Sequence, residues 1–491
     1  MSGAHVTGAA PIRVFGTGTG APLGPEAREA LAAATLVVGA RRHLEAAHPA
    51  AETAGAAYAA RSAQTGGTER TAPATETEGA AQASRAARNA RIGRTEQGDG
   101  RAERIVLGPL APALDRVAEH LARGGARVVV LASGDPGFFG IVRALAERFG
   151  PAALDVRPGA PSVAVAFARL GLTWDDAVVV SAHGRDPRTA VNACLAHPKV
   201  AVLTGPDAGP AELAAGLVHG AGGRTLVVAT ALGDPERERV ERLTPAEALV
   251  RDWPDPVSVV LCLDGARTLS PSARTLAGAP AGPDRWALEE AEFEHRDSMI
   301  TKFEVRALAL ARLGPRTGDL VWDVGAGSGS VAVECARLGA AAVAVEKAAD
   351  GVARIRANAS AHGVYVDVVH GPAPAALDGL ADPDAVFVGG GGRELPAVVA
   401  ACARRARRTV VVALAALDRV PQVRAALAGA GLEPEGVLLQ SSRLAPLPGG
   451  VTRLAATNPV FLLWGSRPSA LTSGRAGVAS PRARASEGAI Q

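Results

Sequence analysis

Short apolar runs alternate with amphipathic stretches along most of the chain. Arg127–Leu131, Leu320–Val324 and Ala341–Val345 are apolar at nearly every position, and a polar or glycine-rich segment follows each of them. Continuous apolar runs of this length are typical of parallel strands that are covered on both faces. The intervening stretches have helical spacing. The pattern therefore predicts an α/β protein built on parallel sheets.

The predicted strands fall into two ranges of the chain. In the first they are Ile12–Phe15, Thr35–Val38, Arg127–Leu131, Leu154–Arg157, Ala177–Ser181, Val200–Thr204, Thr225–Thr230 and Val257–Leu263, with helices at Pro25–Ala34 and Leu110–Arg123. In the second they are Leu320–Val324, Ala341–Val345, Tyr365–Val369, Ala385–Val388, Thr409–Ala413, Gly436–Ser441 and Val460–Leu463.

Composition separates these ranges. Residues 50–103 hold almost no large apolar side chain, so they cannot bury enough surface to offset chain entropy, and they are predicted to be a disordered insertion. Residues 265–282 are predicted to be a linker and residues 466–491 a disordered tail. Because 491 residues exceed one compact core, we predict a first domain over residues 11–264 and a second over residues 283–465.

Charge and cysteine content exclude several classes of protein. The net charge of only +3 creates no strong field for a polyanion, so no nucleic-acid partner is expected. Four cysteines lie far apart with no Cys-x-x-Cys pair, so neither a metal site nor a disulfide framework is expected. The first residues do not resemble a signal peptide, and no apolar run reaches membrane-spanning length. We therefore expect a cytoplasmic protein with no membrane partner.

The sharpest chemical signal follows the apolar run at Leu320–Val324. The turn contains Gly325, Gly327 and Gly329, and Glu346 ends the next apolar run. Glycines let the backbone approach a ligand closely, and an acid about 20 residues after the first glycine is placed to accept hydrogen bonds from ribose hydroxyls. This stretch therefore predicts a nucleotide-type ligand.

The same turn distinguishes two ligands. A dinucleotide fingerprint would place a glycine where this chain has Ser330, and the third glycine comes one residue early. Asp323 would repel a pyrophosphate, whereas a carboxylate there suits a ligand with an ammonium group. We therefore predict S-adenosylmethionine as the cofactor, with an NAD-dependent oxidoreductase as the alternative.

Glycine-rich and polar loops also follow strands in the first range. They are Gly16–Gly20, Ala132–Gly140, Pro158–Ser162 and Ser181–Arg185. Open α/β sheets bind ligands at the carboxyl ends of their strands. Cofactor contacts are therefore expected here from Ser133, Gly134, Asp135 and Ser162, with capping of the following helix as the alternative role of Asp135.

These motifs resemble known families. Residues 12–264 resemble the tetrapyrrole methylase family in its precorrin C5-methyltransferase branch, through Val37–Arg42, Leu131–Gly140, Pro158–Ser162, Ala166–Trp174 and Ser181–Arg185. Residues 283–465 resemble the precorrin C15-methyltransferases, which have a class I fold. The motifs of that half are Phe293–His295, Met299–Arg306, Asp323–Gly329, Gly371–Pro374, Asp384–Gly390 and Asn458–Phe461.

In this order the halves resemble the bifunctional precorrin-6Y C5,15-methyltransferases (decarboxylating) of cobalamin biosynthesis. The resemblance implies an N-terminal tetrapyrrole methylase fold and a C-terminal class I Rossmann-like fold. It also implies methylation of a precorrin at C5 and C15, with S-adenosylmethionine as donor and loss of the C12 acetate carboxyl. The expected partner is a small-molecule tetrapyrrole, and we expect a homo-oligomer.

Two positions depart from the family pattern. The usual Glu-Asn-Leu-Gly is Thr230-Ala231-Leu232-Gly233 here, which leaves open a methyltransferase with only its C-terminal site active. The usual Gly-Asp-Ala-Pro has Pro372 in place of its acid, so a cofactor contact there would come from the backbone at Ala373.

A substrate with many carboxylates requires cationic side chains in each half. In the second half the candidates are Lys302 and Arg306, with an exposed ion pair at a helix start as the alternative. In the first half they are Arg41, Arg42 and Arg185, with a solvated surface as the alternative. His183 is a further candidate, or else it bonds to its own loop. No catalytic residue is identified, because attack by an electron-rich carbon needs positioning more than a strong base.

Overall fold

The computed structural model describes residues 11–17, 23–47, 95–96, 102–218, 220, 223–234, 236–254, 257–265, 277, 283, 285–296, 300–390 and 392–467. Gly18 and Gly20, nearly all of the predicted insertion and linker, and the tail after residue 467 lie outside these ranges.

The first sheet has six strands in the order β3-β4-β2-β5-β1-β6. Its strands and the accompanying helices are β1 Ile12–Thr17, α1 Pro25–Ala33, β2 Leu36–Gly39, α2 Arg41–Ala46, β3 Thr95–Glu96, β4 Glu103–Val106, α3 Leu110–Ala122, β5 Val128–Ser133, α4 Val142–Phe149, β6 Leu154–Arg157 and α5 Ser162–Leu170. All neighbours are parallel except β3 and β4.

This sheet corrects the predicted insertion at its C-terminal end. Thr95 pairs with Ile105, and Glu103 begins β4, so Thr95, Glu96 and Glu103 belong to this sheet. The pattern missed β4 because two of its four residues, Glu103 and Arg104, are charged and interrupt the apolar run.

The second sheet has five strands in the order β10-β9-β11-β8-β7. Its elements are β7 Val178–Ser181, α6 Arg188–Ala196, β8 Lys199–Leu203, α7 Pro210–Leu217, β9 Arg224–Thr230, β10 Arg239–Leu243, α8 Pro245–Val250 and β11 Ser258–Asp264. β10 was not predicted, because its sequence RVERL is polar and at the edge of the sheet.

The third sheet has seven strands in the order β14-β13-β12-β15-β16-β20-β17, with β20 antiparallel to both of its neighbours. Its elements are α9 Phe303–Leu313, β12 Leu320–Val324, α10 Ser330–Arg337, β13 Ala341–Glu346, α11 Ala349–Ala361, β14 Asp367–His370, β15 Ala385–Val388, α12 Leu395–Arg405, β16 Thr409–Leu414, α13 Val420–Gly429, β17 Glu433–Leu439 and β20 Val460–Ser466. A two-stranded hairpin, β18 Ser442–Pro446 and β19 Thr452–Ala456, precedes β20. The predicted α/β fold class is confirmed.

The central strand β12 shows why these runs are apolar throughout. Leu320, Trp322 and Val324 pack into the core on one face, whereas Val321 packs into the core on the other. Since helices cover both faces, no position of the strand meets water. The glycine turn at its carboxyl end is therefore held by a rigid strand.

Packing divides the chain into two compact units. One comprises described residues within 1–174, 228–242 and 257–259, and the other those within 175–227, 243–256 and 260–491. This division differs from the sequence-based domain limits, which stay a prediction. Within the described ranges no helix combines the length and apolar character needed to cross a bilayer.

Candidate functional site

The turn from β12 to α10 is built from glycines in the left-handed region. Gly325, Gly327 and Gly329 have φ angles of 73°, 58° and 73°, which other residues adopt only with strain. A Cβ at Gly325 would lie 3.1 Å from the Gly390 nitrogen, whereas a Cβ at Gly327 would meet no atom within 4 Å. The backbone at Gly327 therefore faces open space.

Glu346 is fixed beside this turn at the end of β13. The side chain is buried, and its two carboxylate oxygens accept hydrogen bonds from Gly327 N (2.8 Å) and Ala348 N (2.9 Å). Gly351 allows α11 to approach, because a Cβ there would lie 2.7 Å from Glu346 Cγ. Each carboxylate oxygen retains acceptor capacity for a further donor such as a ribose hydroxyl.

Asp323 lies under the same turn. It is 1% exposed, and its Oδ2 accepts a hydrogen bond from Ala332 N at 3.0 Å. Burial raises the pKa of Asp323 to about 7, the Ala332 N–H opposes this, and the charge of Glu346 adds to it. Near neutral pH the carboxyl is therefore close to half ionised, and a cation beside it would favour the ionised form.

The loop after β14 joins the same edge. Gly371 N donates to the Glu346 carbonyl at 3.0 Å, and Ala373 packs against the core beneath the sheet. Pro372 is exposed, and its carbonyl accepts a hydrogen bond from Ala376 N at 2.9 Å. The substitution of Pro for the family's acid therefore leaves this loop ordered. The cofactor contact through Ala373 stays a prediction.

Arg306 is not placed to bind a substrate, which corrects the prediction. Its side chain is fully buried, and its guanidinium donates to the carbonyls of Thr301 (2.6 Å) and Leu288. The guanidinium also lies over the Phe293 ring, 4.8 Å from the centroid. Arg306 therefore holds the segment before α9 in place.

Lys302 precedes α9 and is partly exposed. The alternative predicted for it was an exposed ion pair at a helix start, and Glu304 at this helix start pairs instead with Arg443, at 2.8 Å. Within the described ranges Lys302 has no side-chain hydrogen bond or ion pair, so its role in binding substrate stays a prediction.

Sequence reasoning missed Arg443 on β18. Its guanidinium makes two hydrogen bonds to Glu290 and two to Glu304, at 2.8–2.9 Å, which ties the hairpin to the start of α9. Burial raises the pKa of Glu290, but the hydrogen bonds from Arg443 and the Phe303 N–H outweigh it and lower that pKa to about 2. No local signal could distinguish Arg443 in a chain with 52 lysines and arginines.

In the first sheet, the loops after β1, β5 and β6 meet through glycines. Gly134 N donates to the Thr17 carbonyl and Gly159 N to the Gly134 carbonyl, each at 3.0 Å. A Cβ at Gly16 would lie 2.0 Å from the Gly134 carbonyl oxygen. The sequence places glycines at these positions because the backbones come too close for any side chain.

The predicted cofactor residues of this half lie at the same edge. Asp135 Oδ1 accepts a hydrogen bond from Gly137 N at 2.8 Å, and α4 begins only at Val142. The helix-cap alternative for Asp135 is therefore wrong, and the carboxylate closes its own loop.

Ser162 is the first residue of α5, next to Pro161, which packs on Gly134. Cofactor binding by Gly134, Asp135 and Ser162 stays a prediction.

Ser133 differs from these residues. Its hydroxyl contacts the side chains of Arg42 and His43, both on α2, at 2.8 and 2.9 Å. The Ser133 hydroxyl thus has two hydrogen-bond partners within the protein, and the sequence predicted neither of them. Arg41 precedes them on α2 and is exposed.

The loop after β7 contains the other two candidates. His183 is exposed, and its Nδ1 lies 3.1 Å from the Thr204 carbonyl, which implies an Nδ1–H donor. The histidine therefore bonds to the loop after β8 and not to its own loop. Arg185 is exposed, and its guanidinium has no hydrogen bond or ion pair among the residues that the structure describes.

The departure at Thr230–Gly233 has a conformational consequence. Ala231 has a φ angle of 46°, in the left-handed region that asparagine tolerates better than alanine. The Ala231 carbonyl accepts a hydrogen bond from Asp234 N at 2.9 Å. The Glu238 carboxylate accepts one from Gly233 N at 2.5 Å. The loop is therefore kept in this conformation without the family's asparagine.

Comparison with known proteins matches both halves. Residues 14–249 match the family model described as tetrapyrrole (corrin/porphyrin) methylases, and residues 291–463 match the one described as precorrin methyltransferase domain. A precorrin-6Y C(5,15)-methyltransferase [decarboxylating] from Sinorhizobium is 42% identical over 295 residues, which cover 58% of this chain and 67% of that protein. The chain belongs to the precorrin-6Y C(5,15)-methyltransferase family. The resemblance inferred from the motifs is thus confirmed.

Two other relatives of this chain each have a name that states only one of the two methyltransferase activities. A probable cobalt-precorrin-6B C(15)-methyltransferase (decarboxylating) from Pyrobaculum calidifontis is 36% identical over 35% of this chain and 91% of its own length. A cobalt-precorrin-7 C(5)-methyltransferase from Salmonella typhimurium is 36% identical over 32% of this chain and 77% of its own length. Because these are methyltransferases, the oxidoreductase alternative is not retained.

Proposed function

We propose that this methyltransferase adds methyl groups to C5 and C15 of a precorrin and removes the carboxyl of its C12 acetate, in cobalamin biosynthesis. S-adenosylmethionine is the proposed donor for both halves. The observation that carries the proposal is the arrangement of Asp323, Gly327 and Glu346 at one turn, in a chain whose two halves match two methyltransferase families.

The residues at this turn fit S-adenosylmethionine. The open space at Gly327 leaves room for the ligand against the backbone, and Glu346 presents acceptors suited to ribose hydroxyls. Asp323 is a buried carboxyl group whose ionised form a cation, such as the ammonium group of the methionine part, would stabilise. A pyrophosphate would instead place further negative charge beside two carboxylates.

When bound, S-adenosylmethionine supplies an electrophilic methyl group on a sulfonium. The meso carbons of a partly reduced tetrapyrrole are electron-rich, enamine-like centres, so the protein needs to position the attacking carbon and need not supply a strong base. The carboxylate of Glu346 and the backbone at Gly327 would orient the bound cofactor. Strands β12 and β13 hold both residues rigidly. For the decarboxylation, the conjugated macrocycle is the electron sink, and the protein orients the acetate.

Cationic residues are the proposed contacts for the substrate carboxylates. Lys302 has this role in the C-terminal half, and Arg41, Arg185 and His183 are candidates in the N-terminal half. Their exposure makes them accessible to a ligand. We further propose a homo-oligomeric protein that acts in the cytoplasm on a small-molecule tetrapyrrole, with no nucleic-acid or membrane partner.

The products of the full-length protein test this proposal. Precorrin-6B and S-adenosylmethionine are supplied, and the tetrapyrrole is analysed by mass spectrometry. Two added methyl groups and one lost carbon dioxide are expected. One methyl group with loss of carbon dioxide would instead support the alternative of an active C-terminal site alone, which the change at Thr230 motivates. No methyl transfer would refute both.

A further inference from the structure

Three side chains meet at the carboxyl ends of β2 and β5. Arg42 and His43 follow β2, Ser133 ends β5, and the two strands are parallel neighbours. Arg42 Nη2 donates to Ser133 Oγ at 2.8 Å, and Arg42 Nε donates to His43 Nε2 at 3.3 Å. His43 Nε2 and Ser133 Oγ are 2.9 Å apart. Each member of the Arg42–His43–Ser133 cluster therefore contacts the other two.

The cluster carries its positive charge on Arg42. His43 is 9% exposed, and burial lowers its pKa to about 4, with a further lowering by Arg42 and a partial opposition by the Leu131 backbone. The imidazole is therefore neutral at physiological pH, and Nε2 is the acceptor for Arg42 and for the Ser133 hydroxyl. His43 and Ser133 thus orient the guanidinium without neutralising it.

Most of the Arg42 guanidinium remains available. Arg42 is exposed, and two of its five N–H groups are used within the cluster. No carboxylate of the described chain forms an ion pair with it. An arginine that is oriented by two side chains and pairs with no carboxylate of the described residues is suited to bidentate binding of a carboxylate from a ligand.

A second feature of the same segment points to a flat apolar ligand. Phe138 and Phe139 follow Ser133 by five and six residues, are 36% and 49% exposed, and contact each other edge to face at 4.9 Å. Phe139 also has a φ angle of 55°, which is costly for a residue of this size. Such strain is typical of functional sites, and two exposed aromatic rings are suited to pack against a flat apolar ligand.

We propose that Arg42, positioned by Ser133 and His43, binds a carboxylate of the tetrapyrrole in the N-terminal half. A tetrapyrrole combines an apolar macrocycle with peripheral carboxylates, which matches the aromatic pair and the guanidinium. The inference rests on the proposed function and assigns Ser133 to the orientation of a substrate-binding residue. It also separates Arg42 from Arg41, which has no comparable support.

The test compares Arg42→Lys, Arg42→Met and Ser133→Ala in the full-length protein. Precorrin-6B and S-adenosylmethionine are the substrates, and methylation at C5 and at C15 is counted separately by mass spectrometry. Arg42→Lys keeps the charge but loses the planar fork, so KM for the tetrapyrrole at C5 should rise about tenfold. Arg42→Met should raise it more and Ser133→Ala less. The KM for S-adenosylmethionine and C15 methylation should not change.

Controls separate this role from others. Arg123→Lys, at an exposed position on the same half, should leave both methylations unchanged. His43→Gln retains a neutral acceptor, so it should leave the pH profile of C5 methylation unaltered. Circular dichroism checks folding, and C15 methylation in the same chain reports an intact protein.

Three results would overturn the inference. An unchanged KM for the tetrapyrrole in Arg42→Met is one, and a raised KM for S-adenosylmethionine in Arg42→Lys is another. The third is equal loss of C5 and C15 methylation in a folded variant. If the unmodified protein transfers no methyl group to C5, the proposed function of that half fails instead.

Discussion

A carboxylate oxygen of Glu346 and the backbone nitrogen of Gly327 are 2.8 Å apart, across the turn that joins β12 to α10. Gly327 lies in the turn after β12, and Glu346 ends the parallel neighbour β13, 19 positions later in the chain. This bond fixes both the glycine turn and the acid that is proposed to bind the ribose. A change at either residue should therefore affect the C-terminal site first.

Replacing Glu346 with alanine should weaken S-adenosylmethionine binding in the C-terminal half by about 1.5–3 kcal/mol, the range for hydrogen bonds that involve a charged group. C15 methylation should fall, while C5 methylation persists. Isothermal titration calorimetry and product mass measure these effects. Glu433→Ala, at an exposed position on β17, is the control and should change neither. Unchanged affinity in Glu346→Ala would remove this residue from the site.

Gly327→Ala should abolish or strongly reduce C15 methylation, because the new Cβ would occupy the open space at the turn. Gly363→Ala is a matched control. Gly363 has a φ of 62°, close to the 58° of Gly327, and a Cβ there also meets no atom within 4 Å. Both substitutions should destabilise the protein by about 1–2 kcal/mol through strain. If both variants lost activity equally, strain and not ligand contact would be the cause.

Binding of S-adenosylmethionine to the C-terminal half should release a proton near pH 7. Asp323 has a pKa of about 7 in the free protein, and an ammonium group beside it would lower that pKa. The affinity should therefore increase as the pH rises from about 6 to 7.5. Calorimetry in two buffers of different ionisation enthalpy measures the released proton. Asp323→Asn should remove the difference between the buffers, and an absence of any difference in the unmodified protein would contradict the prediction.

The same pKa shift affects stability in a defined direction. Since the pKa of Asp323 is raised on folding, from 3.8 to about 7, its contribution is most favourable below about pH 4 and is lost as the pH rises through 7. Asp323→Asn should therefore gain stability relative to the unmodified protein at pH 8 and show little gain at pH 4. Urea unfolding at the two values tests this. A gain of the same size at both values would mean that ionisation is not its source.

Ala231→Asn and Ala231→Gly should each stabilise the protein by about 0.5–1 kcal/mol, because both tolerate the left-handed conformation of this position better than alanine. Ala34→Gly is the control. Ala34 has a φ of −65°, where glycine gives no relief and its greater chain entropy should destabilise the protein. The melting temperature of each variant measures the effect. A lower melting temperature for Ala231→Gly would show that the alanine is not strained.

The sequence by itself determined most of the buried strands and the glycine turns that follow them. Runs such as Leu320–Val324 are apolar because both faces of the strand are covered, and glycines follow because the chain must turn there beside a neighbouring backbone. Both are local requirements, so they are visible in a single stretch of sequence. This is why the glycine turn and Glu346 were predicted, whereas β10 and β4, polar strands at or near sheet edges, were not.

Only the tertiary structure decided which charged side chains are available to a ligand. Arg306, Arg443 and Arg42 look alike in an arginine-rich sequence. In the structure Arg306 is buried and donates to the Leu288 carbonyl, Arg443 is bound by two glutamates, and Arg42 is exposed and pairs with no carboxylate of the described residues. Their partners lie 5 to 153 positions away for the first two, and Ser133 lies 91 positions from Arg42. The availability of a charge depends on which partners folding brings within hydrogen-bonding distance, and most of these partners lie too far along the chain for a local pattern to encode the contact.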